Sequence, residues 1–113
     1  MGREKVSMTP VARDAAVLLG HQVRLARFAR RWTIADLAGR AGTSVGTVSN
    51  LEAGSPNISI GNAFNIAVAV GVELFSMTPD ELSRMQQAEK ARIALLPTRV
   101  NNARDFDNVD LDF

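Results

Sequence analysis

Between residues 10 and 32 the apolar positions recur at helical spacing: Val11, Ala15, Leu18 or Leu19, Val23, Ala26 and Ala29. Steps of three and four place them along one face of a helix. Thr9 stands where a cap belongs, and Pro10 suits the first turn, where a missing N–H costs nothing. Gly20 is a candidate division between an arm helix and a domain helix. A second helix is predicted from Thr33, whose hydroxyl can cap it, and Asp36 three residues on completes a capping-box variant. Leu37, Ala38 and Ala41 form its inner face, and Gly42 stops it. Ser44 caps a third helix reaching about Ala53, closed by Gly54, Ser55 and Pro56. A fourth runs from about Ile60 to Val70, with Ala63, Phe64, Ala67 and Val70 inward and Gly71 after it. A short turn over residues 73–76 leads to Thr78-Pro79-Asp80-Glu81, a strong helix start, and that helix reaches about Leu95 before Pro97 breaks it. Residues 97–113 are polar and rich in Asn and Asp. With no internal repeat and no alternation of strands and helices, the fold class is all-α.

The chain has 113 residues, of which 46% are apolar and 22% charged, ordinary values for one globular domain. A chain of this size has a thin core unless a partner extends it. It contains no cysteine, which removes disulfides and thiolate metal sites and fits a reducing compartment, so the expected location is the cytoplasm. The longest apolar run, residues 66–72, is far short of the ~20 residues of a membrane span. Residues 15–19 are too short for a signal core, and Val6 stands where a myristoylation motif needs Ser or Thr. The lone histidine, His21, lies on a helix with no nucleophile motif around it. No enzyme, metal or cofactor is expected.

The net charge of +1 hides an uneven distribution. Residues 1–32 carry seven bases against two acids, a balance of +5; residues 101–113 carry one base against four acids, a balance of −3. A basic head suits a polyanion, and an acidic tail suits a protein.

Residues 33–54, TIADLAGRAGTSVGTVSNLEAG, read as two short helices joined by a glycine-containing turn, the layout of a helix-turn-helix with the second helix as reader. Ala38 must be small where the helices cross, Gly42 permits a positive φ, and Val48 and Leu51 fix the reading helix against Leu37. At 100° per residue Gly46, Ser49, Asn50 and Ala53 point outward, with Val45 and Glu52 on one flank and Thr47 on the other.

These residues, with LGHQVRLAR before them, V-S-N-L-E-x-G within them and I-A-V-A-V-G-V after them, resemble the Cro/C1-type helix-turn-helix family, also called the xenobiotic-response-element family, over about residues 19–75. The resemblance implies a five-helix, lambda-repressor-like domain with an extra C-terminal helix and a short tail. It divides the chain into an N-terminal arm or helix (1–18), the DNA-binding domain (19–76), a C-terminal helix (77–96) and the tail (97–113). It further implies that Val45, Gly46, Ser49 and Asn50 face base edges and that Thr47 lies near phosphate. Asn can bond adenine bidentately and Val can pack on a thymine methyl. The reading helix departs from the family in having no Arg, Lys or Gln at its tip, so affinity must come mainly from phosphate contacts. The candidates are Arg24, Arg31 and Arg40, the backbone around Thr33, Ile34 and Asn57, and the helix N-terminus at Ser44. Arg27 and Glu52 fall where the family places a structural ion pair.

Family members bind palindromic operators as homodimers, on half-sites about one helical turn apart. Leftover apolar residues near Val72, Leu74, Phe75 and Met77, or on the last helix, are candidates for the dimer face or for closing the monomer's core. In the tail, Val109, Leu111 and Phe113 alternate with acids, a pattern suited to a partner's sheet edge or groove. The order of parts resembles HipB-type antitoxins, which repress their own operon and bind HipA-type kinase toxins. The alternatives are a stand-alone phage-type or restriction–modification controller repressor, and a protein-interaction adaptor without DNA binding.

Overall fold

Every helix begins on a hydroxyl. In the computed structural model, which describes residues 6–100, five helices follow one another: α1 (Pro10–Ala29), α2 (Ile34–Ala41), α3 (Val45–Glu52), α4 (Ile60–Val70) and α5 (Pro79–Ile93). Their caps are Thr9, Thr33, Ser44, Ser59 and Thr78. Each cap oxygen accepts from the amide three residues on, satisfying one of the donors a helix start leaves open. At α2 and α5 the box is reciprocal, since Asp36 accepts from the Thr33 amide at 2.8 Å and Glu81 from the Thr78 amide at 2.9 Å. These bonds to the Thr33 backbone and hydroxyl hold the Asp36 carboxyl below its usual range, with a smaller contribution from Arg40. α2 and α4 stop at Gly42 and Gly71, both with positive φ. A 3-10 turn, Leu74–Ser76, precedes α5. Among the described residues there is no strand, and no helix is long and apolar enough to cross a membrane.

The chain divides into two units, residues 1–74 and residues 75–113. In the first, α1 packs on α3 and α4, while α2 packs on the same two helices. Their shared core is Val23, Leu37, Ala38, Val48, Leu51, Ile66, Ala67 and Val70, all buried. Leu19, Trp32, Ile34, Ile58, Val72 and Leu74 are packed against it. Val72 and Leu74 thus close the domain's own core. In the second unit α5 has no buried residue, and Glu89 and Arg92 pair along it at 3.2 Å.

Three expectations are corrected. α1 runs unbroken through Gly20. That glycine is there because α3 crosses directly on it: a Cβ would lie 2.8 Å from the Glu52 carbonyl oxygen and closer still to that of Leu51. The inner face of α1 matches the expected one only in part, since Val23 is buried and Leu19 and Ala26 pack against the core. Gly20, Val23 and Arg27 are buried, whereas Val11, Ala15, Leu18 and Ala29 are exposed. The periodicity had merged two stripes of one helix. In α4 the buried Ile66 was absent from the expected inner face.

Candidate nucleic-acid interface

The reading helix is held from beneath. Val48 and Leu51 are buried against the core, which turns Gly46, Ser49, Asn50 and Ala53 to the exposed side of α3. Val45 is 51% exposed, so its side chain is available to a ligand and is not a core residue. At the start of the helix the Ser44 hydroxyl accepts from the Thr47 amide at 3.1 Å and lies 2.8 Å from the Thr47 hydroxyl.

Beside this surface lies a polar cleft of about 420 Å³, lined by Thr47, Asn50, Asn57, Ile58, Ser59 and Asn62. It joins α3 to the first turn of α4, whose cap Ser59 accepts from the Asn62 amide. Ser59 and Asn62 were not among the sequence candidates. The sequence marks them only by their place at a helix start, two to five residues after Asn57. Asn57 is held in the connecting loop, where its amide donates to Ser55 at 3.2 Å and its Oδ1 accepts from the Val6 amide at 3.4 Å.

Arg27 is set apart from the other bases. Its Nε donates to Glu52 Oε2 at 2.7 Å and its Nη2 to Oε1 at 2.9 Å, a fork-to-fork pair. Nη1 donates to the Trp32 carbonyl at 3.0 Å. The bond to Glu52 raises the guanidinium's pKa further, against the opposing effect of burial. The pair ties α1 to the end of the reading helix, and both side chains are buried. Arg30, which the sequence offered only as charge, is structural too, because its Nε donates to the Val70 carbonyl at 2.8 Å.

The remaining basic candidates are exposed but differently placed. Arg40 lies with its guanidinium 4.2 Å from the centre of the Trp32 ring, near enough for a cation–π contact. Arg24 approaches the Phe28 ring at 5.6 Å and lines a shallow apolar groove with His21, Leu25 and Phe28. At Thr33 both the amide and the hydroxyl are engaged by Asp36, so the backbone donor offered there is the amide of Ile34, which a helix start leaves without an intrahelical acceptor.

Arg31 closes α1 with φ 58, a left-handed conformation that a side chain resists. Arg31→Gly is therefore expected to raise the melting temperature slightly. If the side chain meets phosphate, the same change lowers DNA affinity uniformly across sequences and reduces the salt slope by about one. Calorimetry and a salt titration read the two effects separately.

Residues 97–113 include Val109, Leu111 and Phe113, which lie outside the described residues, so the partner-binding reading of the tail rests on sequence alone.

Residues 22–76 match the family model described as Helix-turn-helix. No curated protein and no solved structure matches the chain significantly. The matched segment begins inside α1 and ends with the 3-10 turn, so it covers the C-terminal part of α1 and all of α2, α3 and α4, and the all-α fold is of the Cro/C1 helix-turn-helix type.

Proposed function

We propose, from a chain whose residues 22–76 are a helix-turn-helix domain of the kind found in DNA-binding transcription regulators, that the protein is a sequence-specific repressor acting as a homodimer. The observation that carries this reading is the exposed face of α3, where Val45, Ser49 and Asn50 stand clear of the core. Asn50 is assigned the base contact, as the residue there able to donate and accept to one adenine edge. Arg31, Arg40 and the amides at the starts of α2 and α3 are assigned the phosphates, with Ser44 at the cap of α3 and Thr47 and Asn57 along the cleft.

A weakly charged reading helix makes the phosphate contacts dominant, so binding should fall steeply with salt. The test is footprinting and a salt titration on the DNA upstream of the protein's own reading frame. The expected result is a protected segment covering two half-sites and a slope equivalent to several phosphates. Absence of binding at low salt would favour the adaptor reading, whose support is the missing side chain at Gly46 and the uncharged tip of α3.

We further propose that the protein is the antitoxin of a toxin–antitoxin pair. What supports this is the order of parts: the helix-turn-helix, then α5, then a tail alternating Val109, Leu111 and Phe113 with aspartates. The partner of this reading is a HipA-type kinase. It should bind the full chain and not a chain ending at residue 100; equal binding of both forms would remove the tail argument and leave a stand-alone repressor.

A further inference from the structure

The outer side of α1 carries a second apolar stripe that its own domain does not use. Val11, Leu18 and Leu25 recur every seven residues and are 79%, 57% and 72% exposed, and Phe28 beside them is 60% exposed. At 100° per residue they lie roughly half a turn from the buried Gly20, Val23 and Arg27. Spacing of seven residues keeps Val11, Leu18 and Leu25 on one line of the exposed face, one of the two positions per heptad that a helix pair buries. Its first half, with Val11 and Leu18, precedes the matched segment, which begins at residue 22.

The charges beside the seam select what covers it. Asp14, His21 and Arg24 lie on one flank, the acid towards the N-terminal end and the bases towards the C-terminal end. In an antiparallel helix pair, like flanks face each other with their order reversed. That would set Asp14 of each copy against His21 and Arg24 of the other. In a parallel pair opposite flanks meet, so Asp14, His21 and Arg24 would face the uncharged Ala15 and Gln22 of the other copy and gain no ionic partner. We infer that α1 pairs antiparallel with α1 of a second copy of this chain, crossing at Leu18, with Val11 of each copy against Leu25 of the other. The inference deepens the dimeric part of the proposed function, and it withdraws Arg24 from the phosphate contacts.

Self-association is measured on the full chain without DNA, so a failure here is distinguishable from a failure of DNA binding. Sedimentation should give twice the 12.2 kDa chain mass. Leu25→Glu should give the monomer with unchanged helicity, since the side chain is exposed. Asp14→Arg should weaken association by about tenfold or more, because each dimer then holds two like-charge contacts. Adding Arg24→Asp to Asp14→Arg should restore it. The chain has no cysteine, so oxidation reads the register directly. Leu18→Cys should cross-link to itself. Val11→Cys and Leu25→Cys should cross-link only when mixed. Several results would overturn the inference: a monomeric full chain, a dimer that survives Leu25→Glu or is lost only with Met85→Glu on α5, self-cross-linking of Val11→Cys, or a dimer gained only on removing residues 101–113.

Discussion

Replacing Arg27 with alanine is expected to destabilise the domain by about 3–5 kcal/mol, because it leaves the Glu52 carboxylate buried without its partner. The side chain is 9% exposed, and that of Glu52 5%, so solvent cannot take over the two hydrogen bonds at 2.7 and 2.9 Å. The Trp32 carbonyl loses its donor as well. A small domain has only about 5–15 kcal/mol of stability in total, so the loss is a large part of the whole. The pair as a unit contributes far less than its rupture costs. Taking two charges from water offsets most of their attraction, and Arg27→Met with Glu52→Met should recover most of the stability. Urea unfolding of the two single variants and the double variant gives the coupling. Because the guanidinium is buried and bonded within the protein through all three nitrogens, the salt slope of DNA binding should be unchanged for Arg27→Ala under conditions where it stays folded. A loss below about 1 kcal/mol, the range of exposed ion pairs, would contradict the buried bridge.

Gly20→Ala reverses a rule of helix propensity. In an exposed helix interior the change would stabilise by about 0.8–1 kcal/mol. Here the added methyl meets the backbone of Leu51 and Glu52, which can give way only if α3 moves. Overpacking of this kind costs about 1–3 kcal/mol, and it displaces the reading helix, so DNA affinity should fall together with stability. Gly39 is the internal control. It lies within α2, and a Cβ there meets nothing within 4 Å, so Gly39→Ala should stabilise by about 0.5–1 kcal/mol. If both substitutions stabilised, the close crossing at Gly20 would be wrong.

What was legible in the sequence follows from how local each determinant is. The helix starts at Thr9, Thr33, Ser44 and Thr78 and the glycine stops need only three or four neighbouring residues, so those helix boundaries could be placed by inspection. The capping box of Thr33 and Asp36 is of this kind. The bridge from Arg27 to Glu52 spans 25 residues, beyond the reach of spacing, and was visible only through the family resemblance. Gly20 was misread because a glycine inside a helical pattern is the same letter whether it breaks the helix or admits a neighbour; only the position of α3 separates the two. The expected inner face of α1 joined the exposed Val11, Ala15, Leu18 and Ala29 to the core-facing Leu19, Val23 and Ala26 because that helix is apolar on two sides. The sequence of α4, IGNAFNIAVAV, is apolar almost all round, so its period could not single out Ile66. On α3 the contrast between Val48 and Leu51 beneath and Ser49 and Asn50 above is sharp, and there the expected and observed faces agree. Ser59 and Asn62 were missed because their relation to Asn50 exists only once α4 has folded back beside α3.

The central claim is that α3 reads DNA sequence, with Asn50 as its most specific contact. The measurement that tests it most directly is the ratio of affinities for the protein's own upstream DNA and for an unrelated duplex, at one fixed salt concentration. The wild-type ratio should be about 10³ or more. Asn50→Ala should lower that ratio by about 5- to 150-fold, the equivalent of about 1–3 kcal/mol for one bidentate base contact, and leave the affinity for the unrelated duplex unchanged. An equal ratio for the wild type and for Asn50→Ala would contradict the assignment of α3 as the reading helix.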